Sequence, residues 1–144
     1  MEDDLDPAAS TEIIDANVAD LLANLLVDVP VPPAVRAAAF RALAEMPNVT
    51  TSGPARDDLD RAGIGIRIRI GDGRDFFVVG SPGIRPHRVT GQLTRELTID
   101  PDTSQVLASQ IAAGDGNDPI VESLIVQVGW GDAGPHEPKL PALQ

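Results

Sequence analysis

Between Ile64 and Ile70 an isoleucine occupies every second position, and Gly65, Arg67 and Arg69 fill the places between. A period of two puts the four isoleucines on one face of an extended strand and the arginines on the other. Slipping the pairing by one residue would turn all four isoleucines to water, so such a strand specifies its own register. It also needs a cover for the isoleucine face, and therefore a second layer of structure.

The start of the chain is patterned to supply that layer. Ser10 or Thr11 can cap a helix, because a short side-chain oxygen accepts an orphan N–H of the first turn. Glu12 and Asp15 follow, where the helix dipole favours anions. Ile14, Val18, Leu21, Leu22 and Leu25 recur at helical spacing, so the pattern predicts a helix over about 11–27. Pro30, Pro32 and Pro33 end it, and the last two suit the opening of a second helix that closes near Pro47. Val35, Ala39, Ala42, Leu43 and Met46 form the stripe of that helix.

Beyond Pro47 the period changes from 3.6 to 2. Short strands are expected at 49–52, 64–70 and 76–79, with Gly71-Asp72-Gly73 as a tight reversal between the last two. Residues 80–88 read as a Pro/Gly loop, and Leu93, Leu97 and Ile99 mark a further strand. Asp100-Pro101-Asp102-Thr103 has turn chemistry, and strands at 106–111 and 120–130 complete the series. Helices first and strands after point to an α+β fold. The expectation is an N-terminal helical hairpin packed on a curved, half-barrel-like antiparallel sheet of five or six strands. Residues 1–9 are expected to be a flexible acidic lead, 10–130 a single domain and 131–144 a Pro-rich extended tail. The expected core unites Ile14, Val18, Leu21, Leu22, Leu25, Val35, Leu43, Ile64, Ile66, Ile68, Leu97, Ile99, Leu124 and Val126.

Charge and composition exclude several functions. The chain of 144 residues has a net charge of −11 and no Cys. A nucleic-acid binder needs a basic footprint, and four aromatics (Phe40, Phe76, Phe77, Trp130) make no stacking platform for bases. Without Cys there is no disulfide, thiol nucleophile or Cys-type zinc site. The charge is uneven: residues 1–30 hold eight acids and no base, whereas all ten Arg fall within 31–100. The start after Met1 is acidic, unlike a secretory leader, and no run is long enough to span a membrane.

Candidate chemistry is sparse. Asp57, Asp58 and Asp60, the pair Asp72 and Asp75, and the 114–118 loop lack the ligand spacing of a calcium site and read as turns. His87 and His136, the only imidazoles, sit beside Pro86 and Pro135, and no Gly-x-Ser-x-Gly elbow presents a serine. No catalytic residue, metal site or cofactor is therefore expected. The suggestive residues are cationic: Arg67 and Arg69 on one strand face, with Arg74, Arg85 and Arg88 near in sequence. They suit either an acidic partner or cross-strand pairing with the chain's own acids, such as Asp75 or Glu96. Arg95 shares parity with Leu93, Leu97 and Ile99, which places it at the sheet rim or buried with a carboxylate.

Three stretches carry a family resemblance: Pro32 through Val49 (PPAVRAAAFRALAEMPNV), Thr94 through Thr103 (TRELTIDPDT), and Gly129-Trp130-Gly131-Asp132 before a Pro-rich end. Together, over roughly residues 20–141, they resemble the extracytoplasmic region of a family of actinobacterial single-span membrane proteins. Members are often associated with extracytoplasmic-function sigma factors. The resemblance implies a membrane-anchored protein whose span precedes Met1; were Met1 the native start, a cytoplasmic location would follow instead. It brings no catalytic residues, and its build is similar to the half-barrels of lipoprotein carriers and periplasmic sigma-factor regulators. The expected function is a non-enzymatic sensory or protein-binding domain in envelope signalling, with a protein partner or self-association. A carrier-like domain holding an apolar ligand between sheet and helices is the alternative, and a small enzyme the third.

Overall fold

The computed structural model describes residues 7–80, 83–113 and 119–131. Two helices, α1 (Pro7–Asp28) and α2 (Pro33–Ala44), precede five strands: β1 (Val49–Arg56), β2 (Ala62–Gly80), β3 (Gly83–Ile99), β4 (Val106–Ala113) and β5 (Pro119–Leu124). The strands form one antiparallel sheet in the order β1-β2-β3-β4-β5, not closed into a barrel, with the helices on one face. The α+β expectation holds, with five strands.

Local chemistry explains the element ends. Helix α1 begins at Pro7, four residues before the expected start, and Thr11 Oγ1 donates to the Pro7 carbonyl (2.9 Å) instead of capping. Pro30 and Pro32 keep the next residues out of the helix, and Pro33 opens α2 at a position that needs no donor. Asp57 organises the β1–β2 turn by accepting from the N–H groups of Leu59 (3.0 Å) and Arg61 (2.9 Å). Asp100 does the same at the β3–β4 turn, accepting from the Asp102 N–H (2.9 Å) and the Thr103 hydroxyl (2.9 Å).

Gly71-Asp72-Gly73 is not a reversal. Strand β2 continues through it, 19 residues in all, and residues 83–88, expected as loop, are the first part of β3. The pairing of β2 with β3 runs on to Gly80 and Gly83, so the two strands form one long hairpin. Positive φ at Gly71 (99°) and Gly91 (92°) accompanies register shifts, so these glycines bend a continuous ribbon. The expected strand at 120–130 is also shorter, since β5 stops at Leu124.

The core lies between α1, α2 and the inner sheet face. Leu43, Ile68, Leu93 and Leu97 are fully buried, joined by Ala19, Ala23, Leu26, Ile70, Ile99 and Val106. Leu22 and Ile66 are half-buried against them. Several residues expected in the core are exposed: Ile14, Val18, Leu21, Val35, Ile64, Leu124 and Val126. The main cause is the rotation of α1. Its Ala16, Ala19 and Ala23 face the sheet and allow a close approach, which turns the larger aliphatics outward. Ile64 lies near the β1–β2 turn, and Leu124 and Val126 at the end of an edge strand.

Candidate partner-binding surface

The outer sheet face carries a polar row. Arg67, Glu96, Gln110 and Glu122 stand opposite one another on successive strands. The Arg67 guanidinium donates to Glu96 Oε2 (3.0 and 3.3 Å), and Gln110 Nε2 donates to Glu122 Oε1 (2.8 Å). Gly65 sits beside this row, where an added Cβ would displace the Ser52 hydroxyl. Arg69 is also exposed and forms no ion pair among the described residues. Its backbone is held by Asn48: the Arg69 N–H donates to the Asn48 carbonyl, and Asn48 Nδ2 to the Arg69 carbonyl, both at 2.9 Å.

The other three suggestive arginines stand apart from these two. Pairing with β1 reaches only Ile68, and pairing with β4 reaches only Leu93. Residues 72–80 and 83–92 therefore extend past both neighbours as a two-stranded ribbon. At about 3.3 Å per residue it reaches roughly 30 Å. Arg74 pairs across from Val89, Arg85 from Val78, and Arg88 from Asp75. The side chains of these arginines and of His87 lie outside the described residues, as does His136.

Arg95 is buried on the inner face and paired with a carboxylate. It donates to Asp20 Oδ1 (2.9 Å) and Asn24 Oδ1 (2.7 Å) on α1, and to Ser109 Oγ (3.0 Å) on β4. Asp20 and Asn24 are four apart, so one helix face presents both to the sheet. This cluster and the alanines set the rotation of α1. Both signals were present in the sequence: the Ala16, Ala19, Ala23 face of the helix, and an Arg with core parity.

A second arginine, Arg61, ties the sheet ends together. It donates to Asp57 Oδ2 (2.6 Å) and to the carbonyls of Ile125 and Leu107 (2.9 Å each). Burial opposes ionisation of Asp57, but the Arg61 N–H, the Arg61 guanidinium and the Leu59 N–H outweigh it. Its carboxyl is held below the ordinary value.

The rotation of α1 leaves a stripe outside. Ile13 (61% exposed), Ile14 (59%), Val18 (43%) and Leu21 (68%) face solvent on a helix whose other side is anchored. The sequence pattern picked out Ile14, Val18 and Leu21 of this stripe but placed them in the core, and it did not include Ile13. Helix α1 also carries Glu12, Asp15, Asp20 and Asp28 and no basic residue.

Two open clefts flank the helices. One, about 330 Å³, lies between the α1–α2 linker and residues 125–130, with Leu26, Val31, Arg36, Val106, Ile125 and Trp130 among its walls. Trp130 Nε1 donates to the Pro30 carbonyl (3.0 Å) and straps its rim. The other, about 380 Å³, lies between the start of α1 and β2, with Glu12, Asn48, Arg69 and Asp72 among its walls. Among the described residues no three His, Asp or Glu side chains gather as metal ligands, and no helix is long and apolar enough to cross a membrane. Compared with family models, curated proteins and solved structures, the chain finds no match in any of the three.

Proposed function

We propose that this chain is a non-enzymatic, protein-binding domain of a membrane-anchored envelope-signalling protein, and that its contact surface includes the outer side of α1. The observation that carries the binding role is the exposed stripe of Ile13, Ile14, Val18 and Leu21 on a helix already anchored through its alanines and Asp20. Four large aliphatics in water on a rigid element gain by being covered. The acids of α1 make a basic, apolar-patterned element the matching partner. The extracytoplasmic setting rests on the sequence resemblance. Photocrosslinking from residue 21 in cells should yield protein adducts, with residue 51 on β1 as a control that does not. Equal absence of adducts at both positions would overturn the reading.

A second reading has its own observation. The cleft beside Trp130 combines aliphatic walls with Arg36 and Arg61, which suits a small ligand with an apolar body and an acidic head. Trp130 is the single tryptophan, so its fluorescence reports directly on that rim. Saturable quenching or a blue shift with a medium-chain fatty acid would support a carrier role, and no change would exclude it for that ligand class.

A further inference from the structure

The partner that the outer face of α1 requires is basic and apolar, and the chain contains one such element. The ribbon of residues 72–80 and 83–92 carries Arg74, Arg85 and Arg88 against Asp72 and Asp75, in a chain whose net charge is −11. Phe76, Phe77, Val78, Val79, Ile84 and Val89 lie along it. Beyond Ile68 and Leu93 no strand among the described residues pairs with its edges. Lengths also agree: the ribbon reaches roughly 30 Å, and the 22 residues of α1 span about 33 Å.

We propose that this ribbon docks on the outer side of α1 of a second copy, so that two copies exchange ribbons about a two-fold axis. Each copy then supplies one ribbon and one helix, and the exposed stripe of each α1 is covered without leaving an open end. A symmetric α1–α1 contact is disfavoured, since it would bring together two helices that each carry acids and no base. The ribbon thereby brings three arginines and six large apolar residues to a helix that carries Asp15 and Asp28 beside Ile14, Val18 and Leu21. This inference rests on the protein-binding reading above and names its partner.

Sedimentation of the purified chain tests it. The wild type should dimerise, and added salt should weaken the dimer. Leu21→Asp on the helix, and Arg85→Glu with Arg88→Glu on the ribbon, should each weaken dimerisation roughly tenfold or more with the circular dichroism unchanged. Mixing the two variants should restore part of the association, because one helix and one ribbon remain intact. A check independent of those variants uses the Cys-free background: Leu21→Cys chains mixed with Val78→Cys chains should form a disulfide-linked heterodimer. A monomeric wild type, a ribbon variant that dimerises like the wild type, or no heterodimer crosslink would each overturn the exchange. Adducts from residue 21 in cells, with a monomeric purified chain, would overturn the exchange and leave the protein-binding reading standing.

Discussion

Arg95 holds a charge inside the core interface, and its neighbours make that tolerable. Asp20 neutralises it, and Asn24 and Ser109 accept further hydrogen bonds. Removing one member leaves the other charge buried, so Arg95→Ala should cost about 3–5 kcal/mol in denaturant melts. Replacing both ions by apolar residues, Arg95→Met with Asp20→Leu, should recover most of that loss. If the single variant melts like the wild type, the pair does not hold α1 down. Asp57 makes a different prediction. Its carboxyl is lowered despite the opposing effect of burial, by Arg61 and the Leu59 N–H. A lowered folded value contributes stability that is present above the unfolded value, about 3.9, and lost as pH falls through the folded one. Melts of Asp57→Asn should therefore lose stability less steeply than the wild type below about pH 4. Parallel acid slopes would remove Asp57 from the account.

The two faces of α1 differ in what they contribute. Leu43 on α2 is fully buried beneath the helical layer, so Leu43→Ala should cost about 2–5 kcal/mol. Leu21→Ala should stay within about 0.5 kcal/mol when melted at a concentration low enough to keep the chain monomeric. Comparable losses in the two melts would show that Leu21 is packed in solution. Periodicity explains why the sequence could be misread here. Spacing shows that Ile14, Val18 and Leu21 share a side, but not whether that side faces the sheet. Small alanines and one buried ion pair decided it, and neither raises a hydrophobic pattern. The Ile64–Ile70 strand was legible because alternation is absolute, and at Ile68 and Ile70 its inward parity is seen. The long hairpin was not legible, because glycine with positive φ serves a turn and a bulge equally well. The arginine group was legible as residues but not as geometry: Arg67 stands on the sheet beside Glu96, while Arg74, Arg85 and Arg88 lie along the ribbon.

At the scale of the whole molecule, acidic and basic segments are placed at different sites on one small body. Helix α1 is purely acidic in its charged residues, whereas Arg36 and Arg41 sit on α2 and most of the other arginines on the sheet and its extension. The strand order has a consequence for how this body assembles in time. Every strand pairs with its neighbour in the chain, so each pairing closes a short loop at small entropic cost. The contact that seats α1 instead joins Asp20 to Arg95 across 75 residues, and Trp130 meets Pro30 across 100. Those closures come at the highest entropic cost and belong after the rate-limiting step. Asp20→Asn should then accelerate unfolding in stopped-flow experiments while leaving refolding nearly unchanged. A refolding limb slowed by the full equilibrium loss would place the helix in the nucleus. With the helix seated last, a sheet with an open inner face is the species that must be protected from its neighbours while the protein is being made.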